Sequence, residues 1–528
     1  MPPVTEETKT TEKTAEKPKL ALADFLTAAR LKELPQTPRA ILQGDLVKDG
    51  LKVVEPATEP TQDGAVEAPI SAEERFVASI AAMLHNMDPK DDRFDKQNIQ
   101  DLVKTIDTLV DAQINEVMHQ ADFKEMESNW RALEDLVQNT NFKAGIQLSL
   151  LDITKAEAFD DLSMNVADIG GSELFKKLYV AEYDQYGGTP YGAVIGLYHF
   201  GNSERLEDDL LWLKGMGKVS TASHAPFIAA VAPEFFTGCK SMKDVAQLRD
   251  ISGLLDTPAY SAWNKLRDSE EAAYIGLTMP NYIVRQPYNT TTNRAAGINF
   301  TEKVNGDRDE DFLWGNSAML FARNLVRSFE TSGWCQHIRG PKGGGLVAGL
   351  PSHSFNLRGE EELKLPVEIT IPDFREYELA RSGFIPLVQK KGSADAVFFS
   401  AQSIKKARGP FKDPKDSENA QLVTNMAYTF SISRIAHHIK AIMRDNIGST
   451  ANAQYIFTQI DRWVSGFVTA LVNPDDLTLR YYPFKAYSLS VAEEPGKVGW
   501  YKCNLSILPH IQFEGMNVDL RVDARLGK

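Results

Sequence analysis

Cysteine is scarce in this chain: three residues among 528. Cys239, Cys335 and Cys503 lie far apart and form no CxxC or zinc-ribbon spacing. That excludes a disulfide framework and leaves buried thiols in a reducing compartment as the simplest reading. Positive charge is in deficit as well, with 58 Lys and Arg against 72 Asp and Glu, a formal net charge of −14. Phosphate contacts need a basic surface, so a nucleic-acid partner is not expected, although a local basic patch is still allowed. No apolar run reaches the ~18 residues of a membrane span, and no membrane insertion is expected. The first residues, Met1-Pro2-Pro3-Val4, lack the basic and apolar regions of a signal peptide, so the expected location is cytoplasmic.

Catalytic strings are missing too. No HExxH or GxSxG is present. The stretch Gly340-Pro-Lys-Gly-Gly-Gly345 lacks the order of a P-loop and reads as a flexible loop. His437 and His438 are neighbours on a predicted helix, about 100° apart, and cannot chelate one metal together. One packed and one solvated histidine is the expectation. Cys335, His337 and His353 have no orienting group at a recognisable spacing, so they read as structural. No cofactor and no metal site follows from the sequence.

What the chain does have is Glu182-Tyr-Asp-Gln-Tyr-Gly-Gly-Thr-Pro-Tyr-Gly192, with two carboxylates, three tyrosines and three glycines. It reads as a turn between buried strands at Leu178–Tyr183 and Ala193–Phe200. On a strand Glu182 and Asp184 share a face, as an acid/base pair would. Paired surface acids matched to cations are the commoner arrangement.

The fold class expected is α/β, a mixed α+β chain. Residues 1–70 form a polar, proline-rich arm, interrupted by Leu20–Leu34 with Leu22, Phe25, Leu26 and Ala29 at helical spacing. That helix either enters a partner's groove or docks on its own body. Residues 71–145 read as a helical contact module, opened by a Ser71/Glu74 capping box, with helices at Glu73–His85, Gln97–Glu116 and Phe123–Asn139. An α/β core spans 146–410. Its expected strands are Ile146–Ile153, Phe227–Ala232, Tyr274–Met279, Val367–Ile371, Phe384–Val388 and Ala396–Ser400. Its expected helices begin at Ser203 and run over Ser241–Leu255 and Phe312–Phe329. Residues 411–528 combine helices at Ala420–Asn446 and Asn452–Val472 with strands in Leu477–Val491 and Gly499–Phe513. At the end Val518, Leu520, Val522, Ala524 and Leu526 alternate with polar residues, a pattern suited to joining a neighbouring sheet edge.

Several colinear segments resemble one family. They include Trp130-Arg-Ala-Leu133, Ala181–Gly196, Ala225-Pro-Phe-Ile-Ala-Ala-Val-Ala-Pro233, Tyr274–Pro280, Phe312–Ala318 and Gly333–Gly340. Gly349–His353, Gly383–Val388, Phe398–Ser403 and Arg444-Asp-Asn-Ile-Gly-Ser449 continue the match. Together they are similar to the large subunit of the type VI secretion contractile sheath. The resemblance implies a non-enzymatic protein with an obligate small-subunit partner, stacked in helical rings around an inner tube and joined to a baseplate. It implies that C-terminal strands knit neighbouring protomers, the role of Val518–Leu526. It also implies that an N-terminal helix, here Leu20–Leu34, is gripped by an AAA+ unfoldase that recycles contracted sheath. Two rivals remain: the single sheath polypeptide of another phage-tail-like machine, and a hydrolase using residues 182–192.

Overall fold

A computed structural model describes residues 96–203, 205–305, 308–357, 360–407, 420–447, 452–471, 474–493 and 501–510. The expected helices at 20–34 and 73–85 and the terminal strand 518–526 lie outside them. The chain divides into two units: residues 1–120 with 288–302, and residues 121–287 with 303–528. In the first, helix α1 (Lys96–Met118) carries Asn115, whose side-chain amide donates to the Thr301 carbonyl at 3.2 Å. The 288–302 segment closes on itself: the Glu302 N–H donates to the Tyr288 carbonyl at 2.9 Å, and the Tyr288 N–H to the Glu302 carboxylate at 2.9 Å.

The second unit begins with α2 (Ala121–Gln138) and α3 (Lys155–Met164). It is built on a six-stranded sheet of β1 (Val194–Phe200), β2 (Phe227–Val231), β3 (Ile275–Met279), β4 (Leu346–Val347), β5 (Ile385–Gln389) and β6 (Ala396–Phe398). The spatial order is β1-β2-β3-β5-β6-β4. β1, β2, β3 and β5 run parallel, and β6 pairs antiparallel to β5 and β4. β2, β3 and β5 are buried at every position. A parallel strand covered on both faces needs such continuous apolar runs.

Helices supply the two covers. On one face α3 and α4 (Leu206–Ser223) pack with Phe235, Tyr260, Trp263 and Phe384. On the other, α5 (Ala318–Ser332) and the start of α7 (Met426–Asp445) bury Phe321, Leu325, Met426 and Phe430. A short helix, α6 (Asp373–Arg381), packs on β5. Past α7 the chain forms α8 (Ala453–Ser465), α9 (Asp476–Tyr481) and a hairpin of β7 (Phe484–Glu493) and β8 (Tyr501–Pro509).

Several sequence expectations are corrected. Leu178–Tyr183 is not a strand: a helical turn over Glu173–Phe175 widens into a π turn over Lys176–Val180. The cause is a cap, because Asp161 accepts from Ser172 Oγ at 2.6 Å and from the Glu173 and Leu174 amides at 2.9 and 3.2 Å. Residues 146–153 alternate but pair with no described strand. Val367–Ile371 is reduced to one bridge, Val367 to Tyr282. Ser241–Leu255 splits into helices at Met242–Gln247 and Ile251–Leu255, each with its own cap. The helix expected from Phe312 starts at Ala318, since Trp314 and Gly315 pair with Tyr282 and Ile283.

Ser203 does not cap α4. Its hydroxyl goes to Asp209 at 2.6 Å, a buried carboxylate that also pairs with Lys155 at 2.7 Å. Residues 477–481 are helical, so the strand begins only at Phe484. The glycine-rich stretch is a closed turn rather than a loose one. Gly340 N–H donates to the Phe398 carbonyl at 2.7 Å, and Gly345 N–H to the Gly340 carbonyl at 2.8 Å.

Candidate assembly surface

The C-terminal hairpin is the feature that most clearly offers itself to another chain. β7 and β8 pair antiparallel, with Tyr487 opposite Ile507, Leu489 opposite Leu505 and Val491 opposite Cys503. Strand alternation puts these residues on one face, against Ile456, Ile460 and Val464 of α8 and Ile439, Ile442 and Met443 of α7. Tyr487 Oη donates to Asp461 at 2.6 Å and ties the hairpin to α8. The other face, with Ser488, Ser490, Lys502, Asn504 and Ser506, is exposed. Two strands alone are marginal, and the helices beneath supply the missing apolar support. Beyond one bridge between Val468 and Phe484 at the start of β7, no third strand among the described residues pairs with either edge. Unpaired edges of this kind accept another chain's strand.

The 182–192 segment has a different job. It runs from the π turn into β1 and is clamped onto α7. Lys440 Nζ pairs with Asp184 at 2.6 Å and lies 4.9 Å from the Tyr179 ring. Arg444, one helical turn further, donates to the Gln185 carbonyl at 2.6 Å and to the Tyr183 carbonyl. Glu182 caps the turn by accepting from the Thr189 amide at 2.9 Å. So of the two acids Asp184 makes the expected ion pair, while Glu182 serves the backbone. Gly188 passes so close that a Cβ there would lie 2.4 Å from the Glu182 carbonyl oxygen.

Tyr183 is buried in the corner, where burial first and then the Tyr179 and Tyr274 hydroxyls push its phenol up to about 12. Tyr191 packs against the core, and Tyr186 is 78% exposed, so only two of the three tyrosines pack. His224 and His437 lie 5.9 and 5.2 Å from the Tyr183 ring. His437 Nε2 meets the Ser223 carbonyl at 2.9 Å, while His438 is exposed beside Trp463, as the sequence suggested.

Among the described residues, those weighed as catalytic sit in structural surroundings. Burial pushes the Cys335 thiol up to about 12, which removes the thiolate a nucleophile needs. The His353 ring meets Phe312 edge to face, with centroids 5.7 Å apart. Burial raises two carboxyls, Glu368 to about 7 and Glu376 less far, but Asn281 occupies both oxygens of the first, at 2.9 and 3.4 Å, and Ser400 Oγ donates to the second at 2.6 Å. No group of three or more metal-ligating side chains occurs among the described residues, and no helix among them is long and apolar enough to cross a membrane. Sequence reading missed the clamp residues Lys440 and Arg444. Their signal was available, since Arg444 opens a family-like segment and Lys440 sits four residues earlier on the same helix face.

Residues 100–405 match the EvpB/VC_A0108 tail sheath N-terminal domain, and residues 415–526 match that family's gpW/gp25-like domain. The chain belongs to the EvpB/VC_A0108 tail-sheath family. A type VI secretion system sheath protein, TssC1 of Pseudomonas aeruginosa, is 38% identical over 437 residues, covering 81% of this chain and 86% of that protein. This tail-sheath chain is therefore a structural subunit of a type VI secretion sheath. Two solved chains are similar at 12% identity. A chain of the anti-feeding prophage baseplate has a TM-score of 0.34, covering 72% of this chain and 84% of that one. A chain of the same particle's contracted helical sheath has 0.29, covering 59% and 67%.

Proposed function

We propose that this tail-sheath chain is the large sheath subunit. It pairs obligately with a small sheath subunit and builds a contractile tube around an inner tube seated on a baseplate. The observation that carries the reading is the β7–β8 hairpin, held on α7 and α8 with no strand on its edges among the described residues. A contracting lattice needs rigid bodies joined by shared strands, so that subunits rotate without parting. Each shared backbone hydrogen bond contributes about 1 kcal/mol net, and several per contact hold a protomer through the transition. Contraction is then a switch between two packings of the same bodies.

In this scheme residues 1–70 are an arm, 71–145 a partner-contact module, 146–410 the sheath core and 411–528 the lattice region. Val518, Leu520, Val522, Ala524 and Leu526 add a strand to a neighbour's sheet. Leu22, Phe25, Leu26 and Ala29 form the face taken by the AAA+ unfoldase. The protein works in the cytoplasm, without catalysis, cofactor or nucleic acid. Co-expression with the candidate small subunit tests the pairing, with co-purification in equal amounts expected. A chain that forms sheath alone would place it with single-polypeptide sheaths instead. Leu22→Asp or Phe25→Asp is expected to weaken unfoldase binding to contracted sheath while sparing assembly, and unchanged pull-down would reject that assignment.

A further inference from the structure

The closed glycine turn at 340–345 borders a polar cavity of about 70 Å³ between α5, the 337–344 segment and α9. Its wall includes Arg327, Thr331, Ser332, His337, Gly344 and Arg480. A lone water needs roughly 10–15 Å³, so this space admits a small ion or the tip of a side chain.

The wall is cationic. Arg327 Nη2 donates to Asn324 Oδ1 at 2.8 Å and to the Gly344 and Leu346 carbonyls at 2.6 Å. Its Nε and Nη1 are uncommitted, and no carboxylate among the described residues lies within ion-pair distance of it. Arg480 engages Asp476 through Nε and Nη2, at 3.1 and 3.0 Å, and Nη2 also donates to the Lys342 carbonyl at 3.3 Å, which leaves Nη1 uncommitted. Asp476 is mostly exposed, so its charge is screened and offsets only part of the field. The Thr331 and Ser332 hydroxyls point their protons to the Arg327 and Ser328 carbonyls and act as polar wall rather than donors.

His337 supplies an independent sign. It is 6% exposed, and its Nδ1 has no hydrogen-bond partner. Its own amide is spent on Ser328 Oγ at 3.1 Å. Buried polar atoms are ordinarily paired, so an orphan nitrogen on a ring that lines the cavity is a gap in the hydrogen bonding that a ligand atom would fill. Burial first, with Arg480 beside it, lowers this histidine to about 4, and the neutral ring can carry its proton on Nδ1.

We propose that this cavity is an oxyanion site, taking a phosphate or carboxylate group on Arg327, Arg480 and His337 Nδ1–H. Guanidinium N–H groups make strong charge-assisted hydrogen bonds to such groups, and the partly buried setting strengthens them. The anion is either free in solution or an acidic side chain from a neighbouring sheath subunit.

Isothermal titration of inorganic phosphate into the full chain before sheath assembly, at fixed ionic strength, is expected to show one saturable site. Arg480→Gln should weaken it at least tenfold, and Arg480→Lys, which keeps the charge but loses the Nη1 donor, several-fold. Thermal melts without phosphate verify that both variants fold. Repeating the titration on assembled sheath separates the sources. Retained binding assigns a free anion, and blocked binding assigns a neighbour's carboxylate. No saturable binding before assembly, or equal affinity in wild type and both variants, overturns the proposal. The first titration stands whether or not the sheath reading holds.

Discussion

The ammonium of Lys440 lies 3.9 Å from the centroid of the Tyr183 ring. The same nitrogen pairs with Asp184, which is half-exposed. The ring contact is the more shielded of the two and should dominate, because exposed ion pairs contribute little. Lys440→Met is expected to cost about 1–2 kcal/mol in urea unfolding. Asp184→Asn should cost only about 0.5 kcal/mol. Equal losses would assign the clamp to the ion pair instead.

Glycine at 188 answers to space rather than to flexibility. A Cβ there meets the Glu182 main chain, whereas a Cβ at Gly192 meets nothing within 4 Å. Gly188→Ala should therefore destabilise by more than about 2 kcal/mol, while Gly192→Ala stays within about 0.5 kcal/mol. Thermal melts of the two variants decide it.

Acid should loosen the core through its histidines. Burial, with His437 and Lys440 nearby for His224 and Arg480 for His337, lowers both to about 4 from 6.5. The unfolded chain binds more protons between those values, so stability is full above pH 6.5 and falls as pH drops towards 4, by ~2 kcal/mol per group. Glu368 runs the other way. Raised to about 7 from 4.5, it stabilises fully below pH 4.5, and that contribution is lost as pH rises through 7. Glu368→Gln should therefore show a steeper acid loss than wild type and higher stability at pH 8. Parallel pH profiles for the two proteins would contradict this.

How much of this was legible follows from where the physics is local. β2, β3, β5 and β6 announced themselves as short apolar runs, because a doubly covered strand needs nothing else. Leu178-Tyr179-Val180 has strand-like residues, yet the carboxylate of Asp161, seventeen positions before Leu178, turns it into helix. The run 146–153 alternates as a strand should, yet it pairs with no strand among the described residues. The Asp184 ion pair was anticipated in kind, and its cation lies 256 residues away on α7. The anion cavity was invisible for the same reason: Arg327, His337 and Arg480 come from three separate elements, and only folding joins them.

The α8 face under the hairpin should carry its stability. Ile460 is fully buried between α7 and the two strands. Ile460→Ala should cost about 2–4 kcal/mol, seen first as faster amide exchange in β7 and β8. Exchange that quickens evenly over the whole core would show the hairpin is not a separate cooperative unit.

Electron microscopy of the chain co-expressed with its small partner, intact and lacking residues 515–528, tests the central claim most directly. The intact pair is predicted to form hollow cogwheel tubes, and the truncated pair to stop at heterodimers. No tubes from the intact pair, or long normal tubes from the truncated one, would contradict a sheath held together by exchanged strands.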